Sequence, residues 1–228
     1  MPVKVCVFDA YGTLFDVSSA ARQAAEEPGR AELAAKWQAL SAQWRAKQLQ
    51  YTWLRAIMGA HTDFWSVTCD GLDWAMEAEG LTDPELRERL LALYWELAAY
   101  REVPRMLAEL KAAGFATAIL SNGSPDMLDG AVSSAGIGDY LDAVLSVEEV
   151  GVFKPDARVY EMVNARFGAA PGEVLFVSSN GWDVAGAAAF GFHTVWVNRA
   201  GDPEDRLPGR AATILSDLTT IPAIAAAT

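Results

Sequence analysis

Short runs of apolar and β-branched residues alternate along this chain with segments of helical spacing. The runs are Val3–Phe8, Ala116–Leu120, Ala143–Leu145, Val174–Val177 and Thr194–Val197. They are apolar throughout, the pattern of strands buried on both faces of a parallel sheet. This predicts an α/β fold. Between Val17 and Tyr100 the alternation stops, and the pattern reads as four helices in succession. From Leu33 to Tyr51, apolar side chains at Leu33, Trp37, Leu40, Trp44 and Tyr51 keep helical spacing. Trp37, Trp44, Trp53, Trp65, Trp74 and Trp95 all fall in this stretch, and most are expected in the core of a helical bundle. The predicted organisation is a sheet domain built from residues 1–16 and 101–228. Residues 17–100 are a helical cap inserted after the first strand.

Composition narrows the function. With 228 residues, 52% hydrophobic and 21% charged, the chain can bury a sizeable core and is not a disordered protein. Its formal net charge of −12 argues against nucleic acid as a partner, since that affinity rests on clustered Lys and Arg. Cys6 and Cys69 make no disulfide framework, which fits a reducing cytoplasm. No apolar run approaches the roughly 20 residues of a membrane span. The N-terminal VKVCVFDAYGTLFD is too short and too soon acidic for one, so neither membrane nor export segment is expected.

In open parallel sheets, ligands bind outside the carboxyl ends of the strands. Those ends are polar here. Asp9-Ala10-Tyr11-Gly12-Thr13 follows the first run and Ser121-Asn122-Gly123-Ser124 the second. Phe153-Lys154-Pro155-Asp156 comes after the third, and Ser178-Ser179-Asn180-Gly181-Trp182-Asp183 after the fourth. Any one would be ordinary loop chemistry; four at corresponding places indicate an active site.

The motifs FDAYGTLFD, WRAKQLQYTWLR, LSNGSP, FKPD and FVSSNGWDVAGA together resemble the haloacid dehalogenase superfamily, and within it the L-2-haloacid dehalogenases. The resemblance runs from Val3 to about Asn198. It implies a Rossmann-like core with a helical cap, a short halogenated carboxylate as substrate, no cofactor or metal, and a homodimer. Most of that superfamily resembles Mg²⁺-dependent phosphohydrolases, whose first strand ends in Asp-x-Asp, the second acid protonating the leaving group. Here that position is Tyr11. Halide leaves without a proton, whereas a phosphohydrolase would lose general acid catalysis worth roughly 10²–10⁴-fold. Ser178-Ser179-Asn180 also lacks the acid that supports the metal in such enzymes. A phosphohydrolase and a non-catalytic binding module remain the alternatives.

By the resemblance, Asp9 is the nucleophile, displacing halide from C2 of an (S)-2-haloacid to give an ester that water hydrolyses to the (R)-2-hydroxyacid. Carboxylate attacking carboxylate is opposed by roughly 4 kcal/mol at about 4 Å and an effective dielectric of about 20. Lys154 is the implied counter-ion, Thr13 holds the Asp9 loop, and Tyr160 belongs to the site. Arg45 receives the halide with Asn122 beside it. Residues four apart share a helix face, so Leu49 looks into the cleft with Arg45. Phe64, Trp182 and Tyr11 line the pocket. Ser121 and the amides after it suit the substrate carboxylate. Asp183 activates water while Ser178 and Asn180 orient the ester. A Gln often follows the cap arginine in the family; here it is Ala46, which is expected to enlarge or dry the pocket. Neither His61 nor His193 matches a catalytic position.

Overall fold

A computed structural model describes residues 2–228. Its sheet has six parallel strands in the order β3-β2-β1-β4-β5-β6. These are β1 (Val5–Phe8), β2 (Ala116–Ser121), β3 (Ala143–Ser146), β4 (Val174–Ser178), β5 (His193–Val197) and β6 (Thr213–Leu215). Every residue of β1 and β4 is buried, as their unbroken apolar sequences require. Helices α5 (Val103–Ala112), α6 (Pro125–Ala135), α7 (Ala157–Phe167), α8 (Gly181–Phe190) and α9 (Ile221–Ala227) accompany the sheet. The α/β expectation holds. β1 sits at the centre, with β2 and β4 on either side, in register from Val5↔Ala116 and Val5↔Val174. The strand order therefore reverses direction at β1, and the crevice of this switch point opens where Asp9 begins.

Strand ends differ slightly from expectation. β1 starts at Val5, and β2, β3 and β4 each run on to a serine. Ser121 pairs with Ser146 and Ser178 with Trp196 in the ladder. β6 was not anticipated. It is a three-residue edge strand whose Ile214 is half exposed, too short and too little buried for an apolar run to announce it.

Between β1 and α5 the chain forms α1 (Ser19–Glu26), α2 (Ala31–Met58), α3 (Phe64–Glu79) and α4 (Pro84–Trp95). Asp63 and Asp83 start α3 and α4 by accepting from the amides of Ser66 and Glu85. The chain leaves and re-enters the sheet domain side by side. The Asp16 amide donates to the Ala98 carbonyl, and that of Tyr100 to Leu14, both at 2.9 Å. On α2, Leu33, Leu40 and Trp44 are buried as their spacing requires. The tryptophans are placed differently from expectation. Trp44 alone of the six is fully buried; Trp37, Trp53, Trp65 and Trp95 are half-buried and Trp74 is exposed. Trp37, Trp65 and Trp95 pack against the core from its edge. Trp65 packs edge-on against Trp95 at 5.0 Å, and Trp53 reaches out to Trp182 of α8 at 5.4 Å.

Candidate active site

Four strand-end segments converge on Asp9, just past β1. Its amide continues the ladder to the Val177 carbonyl at 2.9 Å, so the side chain stands on a fixed backbone. Glycine at position 12, with φ +91°, lets the loop turn back at once; a side chain there would also press on the Ser179 hydroxyl. The turn brings Thr13 Oγ1 to 3.0 Å from Asp9 Oδ2. Thr13 Oγ1 also accepts the Ser179 amide at 2.8 Å. One hydroxyl proton serves one acceptor, and the carboxylate is the stronger, so Thr13 donates to Asp9.

Lys154 Nζ lies 3.2 Å from Asp9 Oδ1 and 2.8 Å from Asp183 Oδ2, with only 1% of its surface exposed. Burial works against its charge. Asp183 and Asp9 outweigh that, and its pKa is held above the ordinary lysine value. Asp183, on the first turn of α8, is fully buried, and desolvation raises its carboxyl even though Lys154 pulls the other way. Tyr160 Oη donates to Asp183 Oδ1 at 2.8 Å, and its own pKa is driven well up by burial and by the Asp183 charge. Tyr160 thus acts on Asp183 and makes no bond to Asp9.

Asn180 links the two sides of the site. Its Nδ2 donates to Asp9 Oδ2 at 2.9 Å, while its Oδ1 accepts from Arg45 Nη2 at 3.3 Å. Opposite partners at the two ends set the orientation of the amide. Arg45, on α2, also donates to the Tyr11 carbonyl at 3.0 Å. Of the two asparagines, it is Asn180 that bonds Arg45. Asn122 Oδ1 accepts the Lys154 amide at 3.0 Å and anchors the lysine's backbone. Ser178 Oγ accepts the Asn180 amide at 3.1 Å, so it positions Asn180 and does not reach Asp9. Ser121, fully buried, accepts the Gly123 amide at 3.0 Å.

The walls are aromatic. Tyr11 stacks on Tyr94 at 5.7 Å and meets Phe64 at 5.8 Å. Its ring presses on Gly123, where a Cβ would stand 2.7 Å from Tyr11 Cε2. Burial, then Tyr94 and Asp9, push the Tyr11 phenol well up, so it is uncharged. Trp182 is half-buried, and so is Leu49. Ala46 is solvent-exposed, so its small side chain does not reshape an enclosed pocket.

Sequence reasoning missed Gln48. Only 1% exposed, it accepts from Arg45 Nη1 at 3.0 Å and donates to Thr68 Oγ1 at 2.7 Å, with the Tyr94 hydroxyl at 3.1 Å. The signal was present: Gln48 occupies the gap in the apolar stripe between Trp44 and Tyr51. Ser179 and Phe153 were also missed.

No group of three metal-ligating side chains occurs among the described residues. The space between Asp9 and Asp183 is filled by the Lys154 ammonium. A divalent ion that needs those carboxylates would have to displace a buried cation, so these residues do not fit the Mg²⁺ of related phosphohydrolases.

Two outcomes follow from this geometry. Gln48→Ala strands the Tyr94 hydroxyl and removes the donor to Thr68 Oγ1, and urea denaturation is expected to show a loss of about 1–3 kcal/mol. A loss near zero would mean that water replaces the amide. Because the folded pKa of Lys154 lies above its unfolded value, the stability its charge contributes is complete at neutral pH. That stability is lost as pH climbs through and beyond the ordinary lysine range, which urea midpoints measured against pH would reveal.

The chain has well-matched relatives. The haloacid dehalogenase-like hydrolase family matches residues 3–191. The chain is 45% identical over 222 residues to (S)-2-haloacid dehalogenase 1 of Pseudomonas sp. strain CBS-3, covering 97% of this chain and 96% of that one. It is 47% identical over 200 residues to the (S)-2-haloacid dehalogenase of Xanthobacter autotrophicus, covering 86% of this chain and 76% of that one. The crystal structure of L-2-haloacid dehalogenase from Xanthobacter autotrophicus with chloropropionic acid covalently bound superposes with TM-score 0.87 at 38% identity, covering 97% and 98% of the two chains. With a matching sequence over most of its length and a matching backbone, this chain belongs to the haloacid dehalogenase-like hydrolases.

Proposed function

We infer that the chain is a hydrolytic dehalogenase that converts short (S)-2-haloacids to (R)-2-hydroxyacids and halide. The observation that carries this reading is the environment of Asp9. A nearly buried carboxylate is held by Lys154, Thr13 and Asn180, with Tyr11 standing where a phosphohydrolase needs its second acid. The relatives named (S)-2-haloacid dehalogenase, and the one with chloropropionic acid covalently bound, support the substrate class.

In the proposed first step, Asp9 Oδ1 attacks C2. Oδ2 is taken by Thr13 and Asn180, while Oδ1 has Lys154 as its partner and keeps a lone pair free. The C2–halogen bond breaks as the C2–oxygen bond forms, and the halide leaves toward Arg45. The substrate carboxylate is received by the amides after Ser121, and Phe64, Tyr11, Leu49 and Trp182 enclose the alkyl group. Esterification removes the charge on Asp9, one of the two anions sharing Lys154. Asp183 then keeps the ammonium to itself and takes a proton from water as that water attacks the Asp9 carboxyl carbon. The bond from that carbon to the C2 oxygen breaks, and the departing oxygen takes the proton from Asp183 and leaves as the hydroxyacid. Asp9 returns to carboxylate by releasing a proton to solvent. Tyr160 holds Asp183 in position for this step, and Asn180 Nδ2 supports charge on the ester oxygen.

Residues 17–100 are proposed to act as the cap of this site. The side-by-side crossings at Leu14–Asp16 and Ala98–Tyr100 support that division. A homodimer through the outer face of α2 and α3 is proposed as well. Ile57 is 83% and Met58 74% exposed there, beside a groove of about 540 Å³ that Leu54 and Trp74 help to line. Among the described residues no helix is long and apolar enough to cross a membrane. Cys6 and Cys69 are both free thiols, which supports the proposal of a reducing, cytoplasmic location.

Halide release from (S)-2-chloropropionate in EDTA is the direct test; a strict need for Mg²⁺ would return the phosphohydrolase. One turnover in ¹⁸O-water with excess enzyme is expected to leave the label on Asp9, and label in the hydroxyacid would mean that water attacks C2. Asp9→Ala should lose activity by roughly four orders of magnitude or more, and Asp183→Asn should accumulate an ester visible by intact mass. For the assembly, sedimentation should report a dimer, and Ile57→Glu with Met58→Glu a monomer; a monomeric parent chain would end that part of the reading.

A further inference from the structure

One carboxylate outside the site described so far joins the helical insertion to the sheet domain. Glu148 lies in the short turn after β3, and its amide is held by Ser146 Oγ at 3.2 Å. Its side chain crosses to residues more than eighty positions earlier. Oε1 accepts the amide of Phe64 at 3.2 Å, and Oε2 faces His61 Nε2 at 3.0 Å. Phe64 is the first residue of α3, the positive end of a sixteen-residue helix, where an anion is favoured. Asp63 already takes the Ser66 amide, so Glu148 satisfies a donor that the helix's own cap leaves free. A carboxylate only accepts, so the His61 proton is on Nε2; the buried Nδ1 has no partner.

The contacts lead directly to the substrate pocket. Phe64 packs on Tyr11 and lies 6.2 Å from Phe153, while the His61 ring lies 4.7 Å from Phe153, the neighbour of Lys154. Ser146, which holds the Glu148 amide, also donates to the Gly123 carbonyl at 2.7 Å, and Gly123 is the floor beneath Tyr11. One turn therefore grips the roof of the pocket through Glu148 and its floor through Ser146. His61 and Glu148 are each about one quarter exposed, so their attraction is screened less than that of a surface pair.

We propose that Glu148, with His61 as its partner, is a positioning residue that fastens the helical insertion over the pocket and sets Phe64 and Phe153 against the substrate. It touches no reacting atom. The proposal rests on the dehalogenase reading for its kinetic consequence, though not for the fastening itself.

Glu148→Ala is expected to raise KM for (S)-2-chloropropionate about tenfold, the order expected for one charge-assisted hydrogen bond. Hydrolysis of the preformed ester in a single turnover should stay within about twofold, because the Lys154–Asp183 pair is untouched. Glu148→Gln keeps an oxygen for the Phe64 amide and an amide that can meet the other tautomer of His61, and should recover most of the loss. Unchanged KM in the alanine variant, or a glutamine variant as impaired as alanine, would overturn the proposal. If Glu148→Ala does not fold, His61→Gln must raise KM in its place. A readout free of catalysis separates the two readings: hydrogen exchange at the Phe64–Val67 amides should quicken about tenfold in Glu148→Ala. Exchange that stays slow refutes the fastening, whereas faster exchange in a chain whose parent releases no halide refutes only the dehalogenase assignment.

Discussion

A buried ammonium between two buried carboxylates governs this molecule. Removing three charged groups from water is costly, and in proteins it is tolerated only where geometry and further hydrogen bonds compensate. Here the compensation is close to complete. Asp9 has Thr13 and Asn180 in addition to Lys154, and Asp183 has Tyr160. The three charges come from three different strands, so they meet only when β1, β4 and the segment after β3 are in register. The charge cluster is thus a consequence of the sheet order and also a constraint on it.

The same cluster gives the proposed chemistry its asymmetry. Two anions share one cation, and turning one of them into an ester releases the cation's full field to the other. Completion of the first step thus removes the Asp9 charge that raises the Asp183 carboxyl, and Asp183 is held ionised for the second. Tyr11, uncharged and clamped between Tyr94 and Phe64, contributes an apolar wall at a position where a phosphohydrolase would carry another charge. That keeps the cluster at three members.

Much of this was readable in the chain because strand ends in a parallel sheet are local: an unbroken apolar run followed by Asp, Ser-Asn or Ser-Asn-Gly announces both the element and its polar mouth. Asp9, Thr13, Asn180, Lys154 and Asp183 lie together for that reason. What was not readable depends on contacts across the fold. Asn122 directly follows β2 while Asn180 lies two residues past β4, and which of them bonds Arg45 depends on where α2 crosses the sheet edge. Of the tryptophans expected in the bundle core only Trp44 is fully buried, while Trp37, Trp65 and Trp95 pack against the core from its edge, since spacing identifies a helix face but not how deep it sits. Ala46 has a neighbour in the site and is itself in solvent, one helical position being about 100° of rotation. Glu148 gave no signal at all; its partners are distant in sequence and ordinary in type.

The paired crossing at Leu14–Asp16 and Ala98–Tyr100 has an evolutionary corollary. An excursion whose two ends already lie together disturbs its host no more when it is long than when it is short, which is why insertions are tolerated at such points. The Asp9–Lys154 pair can persist unaltered while the excursion is lengthened, repacked or exchanged. Lineages sharing this scaffold are thereby free to diversify what they admit without reinventing how they react.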